Sequence, residues 1–331
     1  MPHSQLFPPL SPPPLRPNTS PRCNSSSESS APFPSSIVST PLHHDVWAHY
    51  LSDYPNKKFV ASLLHIIKFG ANIGFSATEV IRPCKNLRSA LEHPGFIDSA
   101  INSMIANQQL HGPFLSPPFP SFCCSPLGTV SRKQNPSKLR VINHLSWPQG
   151  SSVNDGIPDF EATISYDAFE CAVQDLIASG PGSLMAKLDL KDAFRHIPIW
   201  PEDWHHMGLM WKEKLYYCVV LAFGLCSAPY IFNLFAEALH WIIQRHIPAR
   251  LQHYLDDFFL LFKTSQSPGY SSAAVEWVMA LGRKLGLSFQ DSKTVWPSTH
   301  IEFLGLELDS VSMEARLPAD KLSYLKGLLS F

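Results

Sequence analysis

The chain has 331 residues, 45% of them hydrophobic and 16% charged, with a formal net charge of −1. That is enough apolar material for a substantial core, so a wholly disordered chain is excluded. The near-zero charge does not advertise a nucleic-acid binder, although a total says nothing about a local basic groove.

Residues 1–41 hold eleven prolines and eleven serines, too little apolar surface to offset the entropy of ordering, and a disordered tail is expected over 1–45. No continuous apolar h-region makes it a secretory signal. The seven cysteines are odd in number and lack paired CxxC spacing, which points to ordinary thiols in a reducing compartment. Residues 46–119 are expected to form a helical N-terminal region and connector. Phe59, Leu63, Ile66 and Ile67 share one helix face, and Ile97, Ile101, Met104 and Ile105 another. Residues 113–127, rich in Pro and Phe, predict an extended connector and a boundary.

From Ser131 the texture changes. Arg132, Lys133, Lys138 and Arg140 give four positive charges within nine residues, predicting a basic hairpin with Asn135-Pro136-Ser137 as its turn and Leu139, Val141 and Ile142 on the returning strand. A solvated charged loop is the plainer reading of that segment. Ser183–Asp189 and Lys214–Ala222 read as strands. Ser227 and Pro229 open a helix running to about His246. Leu215–Ala236 carries no charge, but Gly224, Ser227, Pro229 and Asn233 interrupt it, so a buried strand, turn and helix fit better than a membrane span. Arg250–Phe262 reads as two strands folded back at Leu255-Asp256-Asp257. Ala274, Val278, Leu281 and Leu285 mark a helix before Gly286, and a final strand covers Ile301–Leu308. Strands interleaved with two long helices favour an α+β layer, an antiparallel sheet with helices packed on one face.

Three acids interrupt otherwise apolar strands: Asp189, and the pair Asp256-Asp257. Burying such charge costs several kcal/mol, roughly, unless a cation or an open site compensates. Mg²⁺ suits two or three Asp at strand ends, because it takes few protein carboxylates and is completed by water and phosphates. The bland alternative is an Asp-Asp hairpin turn and an Asp189 that caps the next segment. Histidines 43, 44, 49, 205 and 206 lack a convincing ligand set.

The surrounding residues resemble a reverse transcriptase. Tyr254-Leu255-Asp256-Asp257 matches the YxDD signature, and Lys187-Leu188-Asp189-Leu190-Lys191-Asp192-Ala193-Phe194 the motif of the first catalytic acid. Leu221 to Pro229, with Phe223-Gly224, looks like the third palm motif. Gly286-Leu287-Ser288 with Lys293-Thr294, then Phe303-Leu304-Gly305-Leu306, look like the last two. The resemblance covers roughly 120–310 and implies right-hand polymerase fingers and palm there, with 311–331 as the start of a truncated thumb or connection. In more detail Leu139 to Ser146, Gly150 to Ile157, and the lead-in around Trp47 and Asn72 to Phe75 resemble DIRS-like retrotransposons.

The resemblance implies that Asp189 and Asp256 ligate two Mg²⁺ ions, with Mn²⁺ as a substitute and Asp257 as third member of the acidic set. It places Phe194 at the steric gate that rejects a ribose 2′ hydroxyl. Lys138 and Arg140 would lie over the triphosphate, where Asn143 and His144 stand in place of the family's usual acid. Asp192 and Ala193 would contribute backbone near the triphosphate, and Gly224 would let backbone approach base and template. Lys293 is either a general acid for the leaving pyrophosphate or an exposed structural lysine. The implied activity is RNA-directed DNA polymerisation on an RNA template with a DNA primer and dNTPs, inside the cell in cytoplasm or nucleus. The rivals are a catalytically silent remnant that at most binds nucleic acid, and an RNA polymerase copying RNA, which Phe194 disfavours.

Overall fold

A computed structural model describes residues 37–77, 85–132, 135–164 and 169–329. Of the tail expected over 1–45, residues 1–36 lie outside the described residues. The remainder packs on the fold: the Val38 amide donates to Lys68 O at 3.1 Å, Thr40 Oγ1 to His196 O at 3.0 Å, and Leu42 is buried.

Helices α1 (His44–Tyr50), α2 (Lys57–Phe69), α3 (Arg88–Glu92) and α4 (Pro94–Ala106) follow. Asn56 caps α2 by accepting from the Phe59 amide, and Phe59, Leu63 and Ile67 are its buried stripe, as their spacing predicts. Helix α4 buries Ile97, Ile101 and Met104. The helical region stops short of its expected end, because β1 (Leu110–Phe114) pairs with a strand a hundred residues downstream. Nor do residues 113–127 separate two units: one cluster of buried residues runs from Leu42 to Phe289, and the Trp47 indole donates to Leu285 O at 2.9 Å.

Strands β2 (Leu127–Arg132) and β3 (Asn135–Asn143) form the expected antiparallel hairpin, with Thr129 opposite Val141. Asn135–Ser137 belong to β3 and are not its turn, and residues 133–134 lie outside the described residues. Helix α3 supports the hairpin through Ser89, which accepts from the Thr129 amide at 3.0 Å. Beyond lie α5 (Asp159–Ala162), α6 (Phe169–Ser179), β4 (Leu184–Asp189), β5 (Gly208–Trp211) and β6 (Lys214–Cys218). β6 ends four residues before the expected Ala222. Sheet β1-β6-β5 is closed at Lys212 and Glu213, both at positive φ as a two-residue hairpin turn requires.

The remaining elements are α7 (Ala228–His246), β7 (Arg250–Tyr254), β8 (Asp257–Phe262), α8 (Pro268–Leu285), β9 (Val295–Ser298), β10 (His300–Phe303), β11 (Leu306–Asp309), β12 (Glu314–Arg316) and α9 (Ala319–Leu329). The single strand expected over Ile301–Leu308 is instead the β10–β11 hairpin, turned at Leu304 (φ 48°) and Gly305 (φ 82°). Sheet β7-β8-β4-β9 is antiparallel throughout. Ala186, Leu188, Phe258, Leu260 and Phe262 join the core of α7 and α8 on one face, as expected. The other face is also covered, a departure from the one-sided layer: Met185, Phe259 and Leu261 pack with α6 and the β10–β11 hairpin. Among the described residues no helix is long and apolar enough to cross a membrane.

The short turn at 201–206 carries an energetic liability. Asp203 is 8% exposed, its carboxylate accepts from the Ile73 amide at 3.0 Å, and burial pushes its pKa up to about 6. A folded state that holds this proton more tightly than the unfolded chain is favoured below the unfolded value and loses that advantage as pH rises through about 6. Asp203→Asn keeps an oxygen for the Ile73 amide and removes the charge. Its thermal unfolding midpoint relative to wild type is expected to climb between pH 4.5 and 7.5, by the equivalent of about 1–2 kcal/mol. A difference independent of pH would contradict this.

Candidate active site

The alternation of a pleated strand decides which side chains meet. Asp189 ends β4 and Asp257 begins β8, and the two are register partners, with Lys187 opposite Phe259 on the same face. Directly opposed residues bring their Cβ atoms to about 5 Å. Asp256 occupies the two-residue turn, where Leu255 takes φ 52°, a left-handed conformation costly for a branched side chain. Backbone bonds fasten the stretches together: the Leu190 amide donates to Asp256 O at 2.9 Å, Lys191 to Ser288 O at 2.8 Å and Gln290 to Asp189 O at 2.8 Å. The Lys293 ammonium reaches across to donate to both Asp189 carboxylate oxygens, at 2.9 and 2.7 Å.

Charge is crowded here. Burial, and then the neighbouring Asp189 carboxylate, raise the Asp256 pKa, while Lys293 and Arg140 pull the other way. Burial pushes Asp257 up to about 6 against the pull of Lys187, with Asp256 and Asp189 adding to the rise. A nearby cation relieves such crowding, and Lys293 already supplies one to Asp189. Among the described residues no group of three His, Cys, Asp or Glu side chains is arranged to hold a metal alone. Asp189 and Asp256 nevertheless suit Mg²⁺, which keeps water and is completed by substrate phosphates.

Phe194 follows in a 3₁₀ turn (193–196) entered through Asp192 at φ 50°, with Ala193 buried. Its ring lies 5.1 Å from Phe223 and 5.7 Å from Phe232, centroid to centroid. Arg140 is exposed on β3, its guanidinium 5.9 Å from the Phe223 ring centroid. The Lys138 side chain lies outside the described residues. Gly224 has φ 103°, and a Cβ there would stand 2.6 Å from Asn143 O. The β3 backbone by itself thus excludes a side chain here, a requirement separate from the approach of base and template that the motif suggests.

Comparison with known proteins fits this geometry. The fold is shared with a foamy viral protease-reverse transcriptase solved in complex with double-stranded DNA, at TM-score 0.61 and 14% identity, over 89% of this chain and 50% of that one. The same foamy viral enzyme in complex with an RNA/DNA hybrid gives TM-score 0.58. Protein P of duck hepatitis B virus (strain China) is 30% identical over 128 residues, 38% of this chain. The genome polyprotein of Petunia vein clearing virus is 27% identical over 124 residues. The chain spans 16% of the length of the duck virus protein and 5% of the Petunia virus polyprotein. The family described as reverse transcriptase (RNA-dependent DNA polymerase) matches residues 132–308. The chain belongs to the reverse transcriptase family.

Two features of this reverse transcriptase domain escape sequence reasoning. Asn154 donates to Gly224 O and to Ser146 Oγ, both at 2.8 Å, and accepts from the Cys226 amide at 3.0 Å, so one side chain ties the segment after β3 to the loop before α7. Behind the Leu255-Asp256 turn, His240 and His253 are buried with their Nδ1 atoms 2.9 Å apart, and Glu237 lies 3.6 Å from His253 Nε2. Asn154 sits in a Gly/Ser loop, the one signal available. The histidines carry none, since their partners are brought together only by the fold.

Proposed function

We propose that this chain is the polymerase portion of a reverse transcriptase, adding dNTPs to a DNA primer 3′ end on an RNA template. The observation that carries the proposal is the meeting of Asp189, Asp256 and Asp257 at one strand-end cluster, with a cationic side chain already drawn to it. Asp189 and Asp256 would hold Mg²⁺, or Mn²⁺ in its place, with Asp257 beside them. When bound, two such ions activate the 3′ hydroxyl and neutralise charge on the leaving pyrophosphate. Arg140 offers a planar fork to the phosphate oxygens, with Lys138 beside it on β3. The backbone at Asp192 and Ala193 supports the triphosphate, and Phe194 closes the space a 2′ hydroxyl needs. Lys293, paired with Asp189 in the free protein, would meet the leaving pyrophosphate as a general acid. The element of origin is a retrotransposon of DIRS-like type, a reading supported by residues 139–146 and 150–157.

The test is extension of oligo(dT) on poly(rA) with dTTP and Mg²⁺. Incorporation that stops on chelation and returns with Mg²⁺ supports the proposal. Tight primer–template binding without incorporation would instead support a nucleic-acid-binding chain with no catalysis.

A further inference from the structure

We infer that Trp147 is a stacking platform for an unpaired base of the template strand, on the loop tied to the Phe223–Gly224 segment; this rests on the polymerase reading above. The segment 144–153 leaves β3 at Asn143 and is held at both ends. The Asn154 amide donates to Leu145 O at 3.0 Å, the Trp147 amide to His144 O at 3.2 Å, and the Ser151 amide to Pro148 O at 3.2 Å. Asn154 then clamps Ser146, the residue before Trp147, and the Gly224 carbonyl with the same side-chain nitrogen. Trp147 is therefore one peptide unit from a clamp on the loop that carries Phe223, over which Arg140 lies.

On this fixed loop the indole is 56% exposed, with the His144 ring 6.4 Å away. A single exposed aromatic is ordinary on a protein surface. What sets this one apart is its place: a tethered loop next to the Phe223–Gly224 segment, reached from the basic strand β3. Residues 144–153 contain no acidic side chain, so no carboxylate within the loop itself repels a phosphate. A template-copying enzyme must hold single strand of any sequence, and base–aromatic stacking is tolerant of sequence. The chemistry to be recognised is the π-face of a base in single-stranded RNA.

The test compares wild type, Trp147→Ala and Trp147→Phe in equilibrium binding to one RNA/DNA hybrid in three forms: blunt, with a six-nucleotide 5′ RNA overhang, and with that overhang made abasic. Wild type is expected to prefer the base-bearing overhang to the abasic one by about tenfold, the worth of one stacked base. Trp147→Ala should lose that preference with blunt-end affinity unchanged, and Trp147→Phe should keep most of it. Equal preference in wild type and Trp147→Ala, or equal loss on all three substrates, overturns the inference while leaving the polymerase reading in place if primers are still extended. Failure of wild type to bind any of the three overturns both.

Discussion

Asp256→Asn is expected to lower single-turnover nucleotide incorporation by at least about 10³-fold while primer–template affinity changes no more than a few-fold. The turn that carries Asp256 is fixed by the bond from the Leu190 amide to the Asp256 carbonyl, a backbone contact the substitution leaves intact. Only the carboxylate charge goes. Asp256 is half-buried beside Asp189, and its raised pKa marks a charge the fold does not welcome, so the variant's melting temperature should equal or exceed that of wild type. Loss of activity with unchanged or higher stability separates a catalytic group from a structural one. Asp189→Asn should be at least as damaging, because it also removes the charge and one of the two acceptor oxygens that hold Lys293. Near-normal incorporation by Asp256→Asn would remove the site from the chemistry.

Phe194→Val is expected to lower the preference for dTTP over UTP by about tenfold to a hundredfold, chiefly through faster use of UTP. The ring sits between Phe223 and Phe232, so trimming it opens space beside those two rings. The same contacts make it a packing residue, and a partly buried Phe cut to Val should cost about 1–2 kcal/mol of stability. The two roles predict different kinetics. A gate changes the ratio of kcat/KM values for the two nucleotides, whereas packing alone lowers both together. A constant ratio with both activities reduced would assign Phe194 to the core.

Much of the site is visible in the sequence because charge stands out against apolar strands. Asp256-Asp257 interrupts a run that continues as Phe258 to Phe262, and the turn falls where the acids are. Pro229 near the start of α7 and Gly286 after α8 mark those helix ends as expected. What stays hidden depends on distant partners. Leu110–Phe114 follows helix α4 closely and becomes strand only by pairing with β6, Leu110 opposite Cys218. The β10–β11 turn hides between Phe303 and Leu306, where two left-handed residues leave little mark in an apolar stretch. Lys293 shows its bond to Asp189, 104 residues away in sequence, only when the chain is folded. Asn154 is likewise 70 residues from Gly224. Gly224 is legible as a glycine that matters, and the fold adds the Asn143 carbonyl that a side chain there would meet.

The convergence of the acids on one reaction is tested most directly by a structure of the protein with an RNA/DNA primer–template, a matching dNTP and Ca²⁺ in place of Mg²⁺. The primer 3′ end and the α-phosphate are expected between Asp189 and Asp256, with a bound cation about 2.3–2.6 Å from a carboxylate oxygen, and with Lys293 swung off Asp189 toward the phosphates. A nucleotide seated elsewhere, with the Lys293–Asp189 pair intact and no cation on either acid, would contradict it.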